Sequence, residues 1–201
     1  MSAATLAKLS ARLNHAAGQT GRLPSVLLLT DQRRLPDPLP SVAALPPGAG
    51  VILRHYDDVG RERLGLALRR LCRRRGLWLL IAGDWRLAAR LGADGVHLPE
   101  RQVGRGVPPP RRPDWLVTAA AHSRAALWRA ARAGADAALL SPVFATASHP
   151  EATVLGPLRF AALAGAAPLP VYALGGVDAL TGKRLNRSGA AGLAAISGLR
   201  V

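Results

Sequence analysis

The phrase "LGADGVHL" (residues 91–98) decides the fold, because it returns in altered form as "AGADAALL" (133–140) and "SGAAGLAAI" (188–196). Each copy closes a helix-like stretch on glycine and then enters a short apolar run. Glycine adopts the left-handed conformation that ends a helix, so each phrase reads as helix stop, turn, strand. Outward from these three, eight β-type runs alternate with helix-like segments: "SVLLLT" (25–30), "GVILR" (50–54), "LWLLIA" (77–82), "DGVHL" (94–98), "DWLVTAA" (114–120), "DAALLS" (136–141), "LPVYAL" (169–174) and "AGLAAIS" (191–197). Between them lie amphipathic stretches such as Arg61 to Arg75, Trp85 to Leu91 and Arg124 to Ala133. Several runs are apolar throughout, as parallel strands buried on both faces are.

Eight such units favour a closed (β/α)8 barrel over an open doubly wound sheet. The chain has 201 residues, fewer than the ~250 typical of that fold, so a compact barrel with short loops is expected. The passage "GRGVPPPRRPD" (104–114) is a poor helix and reads as an irregular connection between strands four and five. At the N-terminus, Leu6, Leu9 and Leu13 recur at helical spacing beside Lys8 and Arg12. That pattern predicts an extra surface helix rather than a secretion signal. No linker divides residues 1–201, so a single domain is expected.

Hydrophobic residues make up 49% of the chain and charged residues 19%, which requires a sizeable interior. No apolar run approaches the ~20 residues that cross a bilayer, and a cytoplasmic protein is expected. The one cysteine, Cys72, excludes an internal disulfide and a multi-cysteine metal site. It reads as the small apolar member of a helix face, with neighbouring arginines able to lower its pKa. The net charge of +15 raises nucleic-acid binding as a possibility. Only Lys8 and Lys183 of the 27 basic residues are lysines, and arginine is spread throughout. The densest cluster, Arg69, Arg70, Arg73, Arg74 and Arg75, fits one solvated helix face. No aromatic is interleaved among these arginines, which argues against a stacking platform for single strands. Anionic small molecules suit the field better.

In such barrels the site lies at the C-terminal ends of the strands. That places Thr30 and Asp31 after strand one, Arg54 and His55 after strand two, and Asp84 after strand three. His97 and Glu100 follow strand four, His122 follows strand five, and the loop "PVFATASHP" follows strand six. Strands seven and eight end on Gly175-Gly176 and on "AISG" with Ser197, where backbone N–H groups can approach a phosphate. The fork of Arg54 suits a substrate carboxylate or phosphate.

Together "LLLTDQR", "VILRHYD", "GADGVHL", "GADAALLSPVFAT", "PVYALGGV" and "GAAGLAAISG" resemble the thiamine phosphate synthase family, nearly throughout and in order. That family also contains the TenI-like thiazole tautomerases, and its members are (β/α)8 barrels. The synthase joins a pyrimidine diphosphate to a thiazole phosphate with Mg²⁺; the tautomerase isomerises a carboxylated thiazole phosphate. The resemblance implies a phosphate site at Gly175, Gly176, Ile196 and Ser197, and substrate contacts at Thr30, Thr146, Ser148 and His149. It also implies a proton-transfer base at His122.

Departures from the synthase pattern are concentrated at the diphosphate end. Ile52 stands where the synthase has glutamine, and Tyr56 and His149 each stand where it has lysine. Its Asn-Asp-Arg falls on Ala82, Gly83 and Asp84, its second magnesium carboxylate falls on or near Arg101, and its strand-five serine is Ala120. Asp84 and Glu100 are the remaining carboxylates that could rescue a metal. The first reading is therefore a tautomerase-type proton transfer on a thiazole phosphate, catalysed by His122 with Arg54 and needing no cofactor. The second is a synthase with an altered Mg²⁺ site, and the third a binding or regulatory protein that has lost turnover. The partners expected are small phosphate esters, with neither membrane nor nucleic acid; assembly into a homo-oligomer stays open.

Overall fold

The computed structural model describes residues 3–56, 58–105, 112–146 and 151–201. Eight parallel strands close into a barrel in sequence order, each paired with the next and β8 paired back to β1. They are β1 (Val26–Leu29), β2 (Gly50–Leu53), β3 (Trp78–Ala82), β4 (Gly95–Leu98), β5 (Leu116–Ala121), β6 (Ala137–Leu140), β7 (Val171–Ala173) and β8 (Gly192–Ala195). The helices are α1 (Ala3–Ala16), α2 (Leu39–Ala43), α3 (Arg61–Arg75), α4 (Trp85–Leu91), α5 (Arg124–Arg132) and α6 (Gly156–Gly165). The expected alternation holds, with strand limits differing by a residue or two.

The repeated phrase now has a physical account. Gly92, Gly134 and Gly189 have φ of 59°, 78° and 73°, the left-handed region that glycine enters at least cost. Asp94 and Asp136, two residues on, each tie the foot of one strand to a preceding one. The Asp94 backbone N–H donates to Leu79 O, and its carboxylate accepts from Leu79 N. Asp136 does the same with Val117 O and Val117 N. In the third copy Ala191 keeps the backbone bond, to Val171 O. There Asn14 of α1 supplies the side chain, donating to Ala191 O at 2.8 Å.

Helix α1 is more than a surface addition. Its Leu6 and Leu13 are buried, and Ser10 bridges the feet of two strands by donating to Ser25 O and accepting from Leu193 N. After β7 and β8 the described residues form only 3-10 turns, Thr181–Leu185 and Ser197–Leu199. So α1 takes the layer position over β8 that a closing helix would otherwise fill.

Two apolar clusters follow from strand alternation. Leu27, Leu29, Ile52, Leu80, Leu139 and Tyr172 fill the barrel interior. Val26, Leu28, Val51, Leu53, Leu79 and Ile81 face the helices. Two expectations about α3 need correction. Arg69 is not solvated: both Asp94 oxygens accept from its Nη1 at 2.9 Å. Cys72 is fully buried, and burial pushes its thiol up to about 12 rather than down. Most of the proline-rich passage, residues 106–111, lies outside the described residues. No helix among the described residues is long and apolar enough to cross a membrane.

Candidate active site

A cavity of about 420 Å³ opens at the C-terminal mouth of the barrel. Interior-facing positions carry its chemistry because side chains alternate along a strand. Ile52 faces in, so Arg54 and Tyr56 do; Ala120 faces in, so His122 does. Of the residues singled out from sequence, Arg54, Glu100, His122, Thr146, Gly175, Gly176, Ile196 and Ser197 line this cavity. Ser148 and His149 lie outside the described residues.

Thr30 is a correction. Leu27 and Leu29 face inward, so Thr30 faces the helix layer, where it is fully buried. Its hydroxyl accepts from Arg54 N at 2.9 Å and lies 2.9 Å from His55 Nδ1. Thr30 therefore holds the backbone that presents Arg54 and does not line the cavity. Burial also pushes the His55 imidazole below its ordinary value, against the opposing charge of Asp58.

Arg54 is aimed by Asp31, whose Oδ2 accepts from Arg54 Nη2 and Arg34 Nη2, each at 3.0 Å. Burial pushes the Asp31 carboxyl up, but the hydrogen bonds of Arg34 and the charges of Arg34 and Arg54 outweigh it and hold it below its usual value. Arg34 also lines the cavity, as does Arg101. Arg61 and Arg101 both approach the Tyr56 ring, with guanidinium carbons 5.4 Å and 5.8 Å from its centroid. His97 reaches the cavity floor from β4, fully enclosed, with Nδ1 3.0 Å from Thr118 Oγ1. Burial, aided by the Arg54 charge, pushes this imidazole down to about 3, so it stays neutral near pH 7. Arg34 was not assigned from sequence, where nothing sets it apart among 25 arginines, and Arg101 was singled out only as standing on or near the second metal carboxylate position.

At the ends of β4 and β5, His122 Nδ1 lies 2.6 Å from Glu100 Oε2, which also accepts from the His122 backbone N–H at 3.0 Å. Arg129 of α5 donates to Glu100 Oε1 at 2.6 Å. Glu100 sits on a 3-10 turn, Glu100–Gln102, just after β4. Ser123, which follows His122, caps α5 by accepting from Ala126 N, a contact typically worth about 1 kcal/mol. An ionised Glu100 keeps the proton on Nδ1 and leaves Nε2 as the basic nitrogen, an arrangement suited to proton transfer. Arg129 could be found only from the structure, since it comes from the second turn of a neighbouring helix.

Gly175 and Gly176 have φ of 92° and 62°. They are needed first for packing. A Cβ on Gly175 would lie 2.7 Å from Pro142 Cα, and one on Gly176 would lie 2.3 Å from Ala145 O. Gly198 is equally tight, with a Cβ 2.4 Å from Val177 O. The loops after β6, β7 and β8 thus interlock through glycines, and Thr181 Oγ1 pins the second by donating to Gly176 O at 2.8 Å. The result is a rigid backbone cradle of the kind that accepts a phosphate.

The carboxylates do not suit Mg²⁺, which takes several hard oxygen ligands. Asp84 caps α4, with Oδ1 accepting from Leu87 N at 2.9 Å, and it does not line the cavity. Both Glu100 oxygens are committed to His122 and Arg129. Among the described residues no group of three or more His, Cys, Asp or Glu side chains could hold a metal.

Comparison with known proteins agrees with the architecture. A thiamine-phosphate synthase of Chromobacterium violaceum is 37% identical over 166 residues, 79% of this chain and 79% of that one. One of Methanoculleus marisnigri is 36% identical over 159 residues, covering 75% and 74%. The fold is also that of a thiamine phosphate pyrophosphorylase from Pyrococcus furiosus, with a TM-score of 0.69 at 24% identity, covering 86% and 85%. The family model described as thiamine monophosphate synthase matches residues 35–199, which take in all of the strands but the first, and the chain belongs to that family.

Proposed function

We propose that the chain joins a thiazole phosphate to a pyrimidine diphosphate, as a thiamine phosphate synthase does. The observation that carries this reading is one cavity lined by both a glycine cradle and three arginines. Gly175, Gly176 and Ser197 line it together with Arg34, Arg54 and Arg101; Arg34 also borders Gly176 and Ser197 in an adjoining cavity, whereas Arg54 and Arg101 both act on Tyr56. Such a cavity suits two phosphorylated reactants held together, and the relatives' names support this reading over the proton transfer that the sequence put first. In this reading the thiazole phosphate rests on the glycine cradle beside Ile196 and Thr146. The leaving diphosphate develops its charge against Arg54, which is preorganised by Asp31 and costs little reorganisation. The reaction is taken to occur in the cytoplasm, with residues 1–201 acting as one domain.

The test is formation of thiamine phosphate from the two substrates by purified protein, across a range of Mg²⁺ concentrations. Arg54→Gln should lower kcat/KM by roughly 10- to 100-fold, the loss of one or two charge-assisted hydrogen bonds. Absence of product at every Mg²⁺ concentration would overturn the reading. A second reading, proton transfer on a carboxylated thiazole phosphate, is favoured by the His122–Glu100 pair. It expects exchange of a substrate proton in D₂O that falls about 100-fold or more in His122→Gln. Tight thiazole phosphate binding with neither product nor exchange would leave a binding protein.

A further inference from the structure

We propose that the arginines of the cavity bind a pyrophosphate-type anion without a divalent metal, their guanidinium groups standing where a cation would otherwise act. The proposed function enters only in naming which pyrophosphate ester is the natural ligand.

Four observations converge on it. Gly83, which the resemblance aligns with the first metal carboxylate, has φ of 73°, and a Cβ there would meet Tyr56 Cε1 at 3.2 Å. An aspartate at that position would be both strained and crowded. Arg61 fills the space at the strand ends instead: its Nη2 donates to Ala82 O, at the end of β3. Its guanidinium also lies over the ring of Tyr56, which lines the cavity, so a half-buried positive charge adds to the field that a metal would meet there. The cavity wall itself carries three arginines, Arg34, Arg54 and Arg101, against a single carboxylate, Glu100. That carboxylate is already held by Arg129 and His122. Arg101, finally, is exposed and forms no ion pair among the described residues; its guanidinium rests against the Tyr56 ring, a contact that leaves its N–H donors to meet an anion.

A divalent cation serves a diphosphate by neutralising charge. Guanidinium groups do the same with directed N–H donors, and an arginine stays protonated over the whole working pH range. Added Mg²⁺ should therefore bring no gain here. It should compete with the arginines for the same oxygens.

Calorimetric titration of the full chain with inorganic pyrophosphate, at constant ionic strength, reads this directly. In EDTA a defined Kd is expected, and excess Mg²⁺ should leave it unchanged or weaken it several-fold. Arg101→Gln should weaken the metal-free Kd about tenfold or more, the worth of one charge-assisted hydrogen bond. Arg54→Gln should do at least as much, with thermal melting confirming that both variants fold. Arg90, exposed on α4 and paired with Glu62, is the control; Arg90→Gln should stay within about twofold. Binding seen only with Mg²⁺, or no binding at all, overturns the proposal. So does an Arg90→Gln effect equal to that of Arg101→Gln, which would mean a diffuse field. Thiamine phosphate formation is not read in this titration. Metal-free binding by a chain that makes no thiamine phosphate sinks the reaction and leaves this site standing; Mg²⁺-dependent binding by an active chain does the reverse.

Discussion

Gly95→Ala is expected to lower the unfolding free energy by about 3 kcal/mol or more, at the upper end of overpacking effects. Gly95 opens β4 and pairs with Leu80 on one side and Leu116 on the other. A Cβ built there would lie 1.9 Å from Leu116 O and 2.8 Å from Leu116 N and C. The obstacle is backbone inside a closed barrel, so the strands must part to admit a methyl group, and the β4–β5 ladder is lost with them. Gly134→Ala supplies the contrast. Its φ is 78° but nothing lies within 4 Å of the would-be Cβ, so only the left-handed conformation is penalised, by about 1–2 kcal/mol. Urea unfolding of the two variants beside the parent separates space from backbone strain. Equal losses would mean that the barrel relaxes around Gly95 and that its register is softer than the ladder implies.

Stability should also fall steeply as pH drops from about 6.5 towards 4, and His97 should be the largest single cause. Its imidazole is pushed down to about 3 by burial and the Arg54 charge, from an ordinary value of 6.5. Below 6.5 the unfolded chain takes up a proton that the fold refuses, so the unfolded state binds more protons and stability rises with pH across that window. For one such group the slope is about 1.4 kcal/mol per pH unit. His55, also lowered by burial, adds in the upper part of the window. Asp31 acts in the same direction but lower down, below its usual 3.8, where its pairs with Arg34 and Arg54 are lost. His97→Gln keeps a polar partner for Thr118 and removes the proton uptake. Its stability curve between pH 4 and 6 should be flatter than the parent's by about that slope. Parallel curves would show that His97 is protonated within the fold.

Much of the site was legible from strand ends alone, and the failures have identifiable causes. Arg54 and His122 follow inward positions on their strands, Ile52 and Ala120, and both line the cavity. Thr30 was misplaced although the signal was present. It is one residue past Leu29, which faces in, so alternation already sends its hydroxyl to the helix side. Asp84 was read as a strand-end carboxylate, yet it also stands immediately before a helical run, the position of an N-cap. Gly175 and Gly176 were read for their freedom to approach a phosphate. The interlocking of three loops, which makes them necessary for packing as well, involves residues from three separate strand ends.

By itself the sequence determined the alternation. Glycine closes each repeated helix, an apolar run follows, and these preferences act between neighbours along the chain, so they can be read wherever the residues stand together. The state of each charge was decided only by tertiary structure. Glu100 meets His122, 22 residues away, and Arg129, 29 residues away, because barrel closure sets β4 beside β5 and its following helix. Asp31 reaches Arg54 across β1 and β2 in the same way. A carboxylate takes its chemistry from the cations within a few ångströms of it, and here those come from other elements of the barrel.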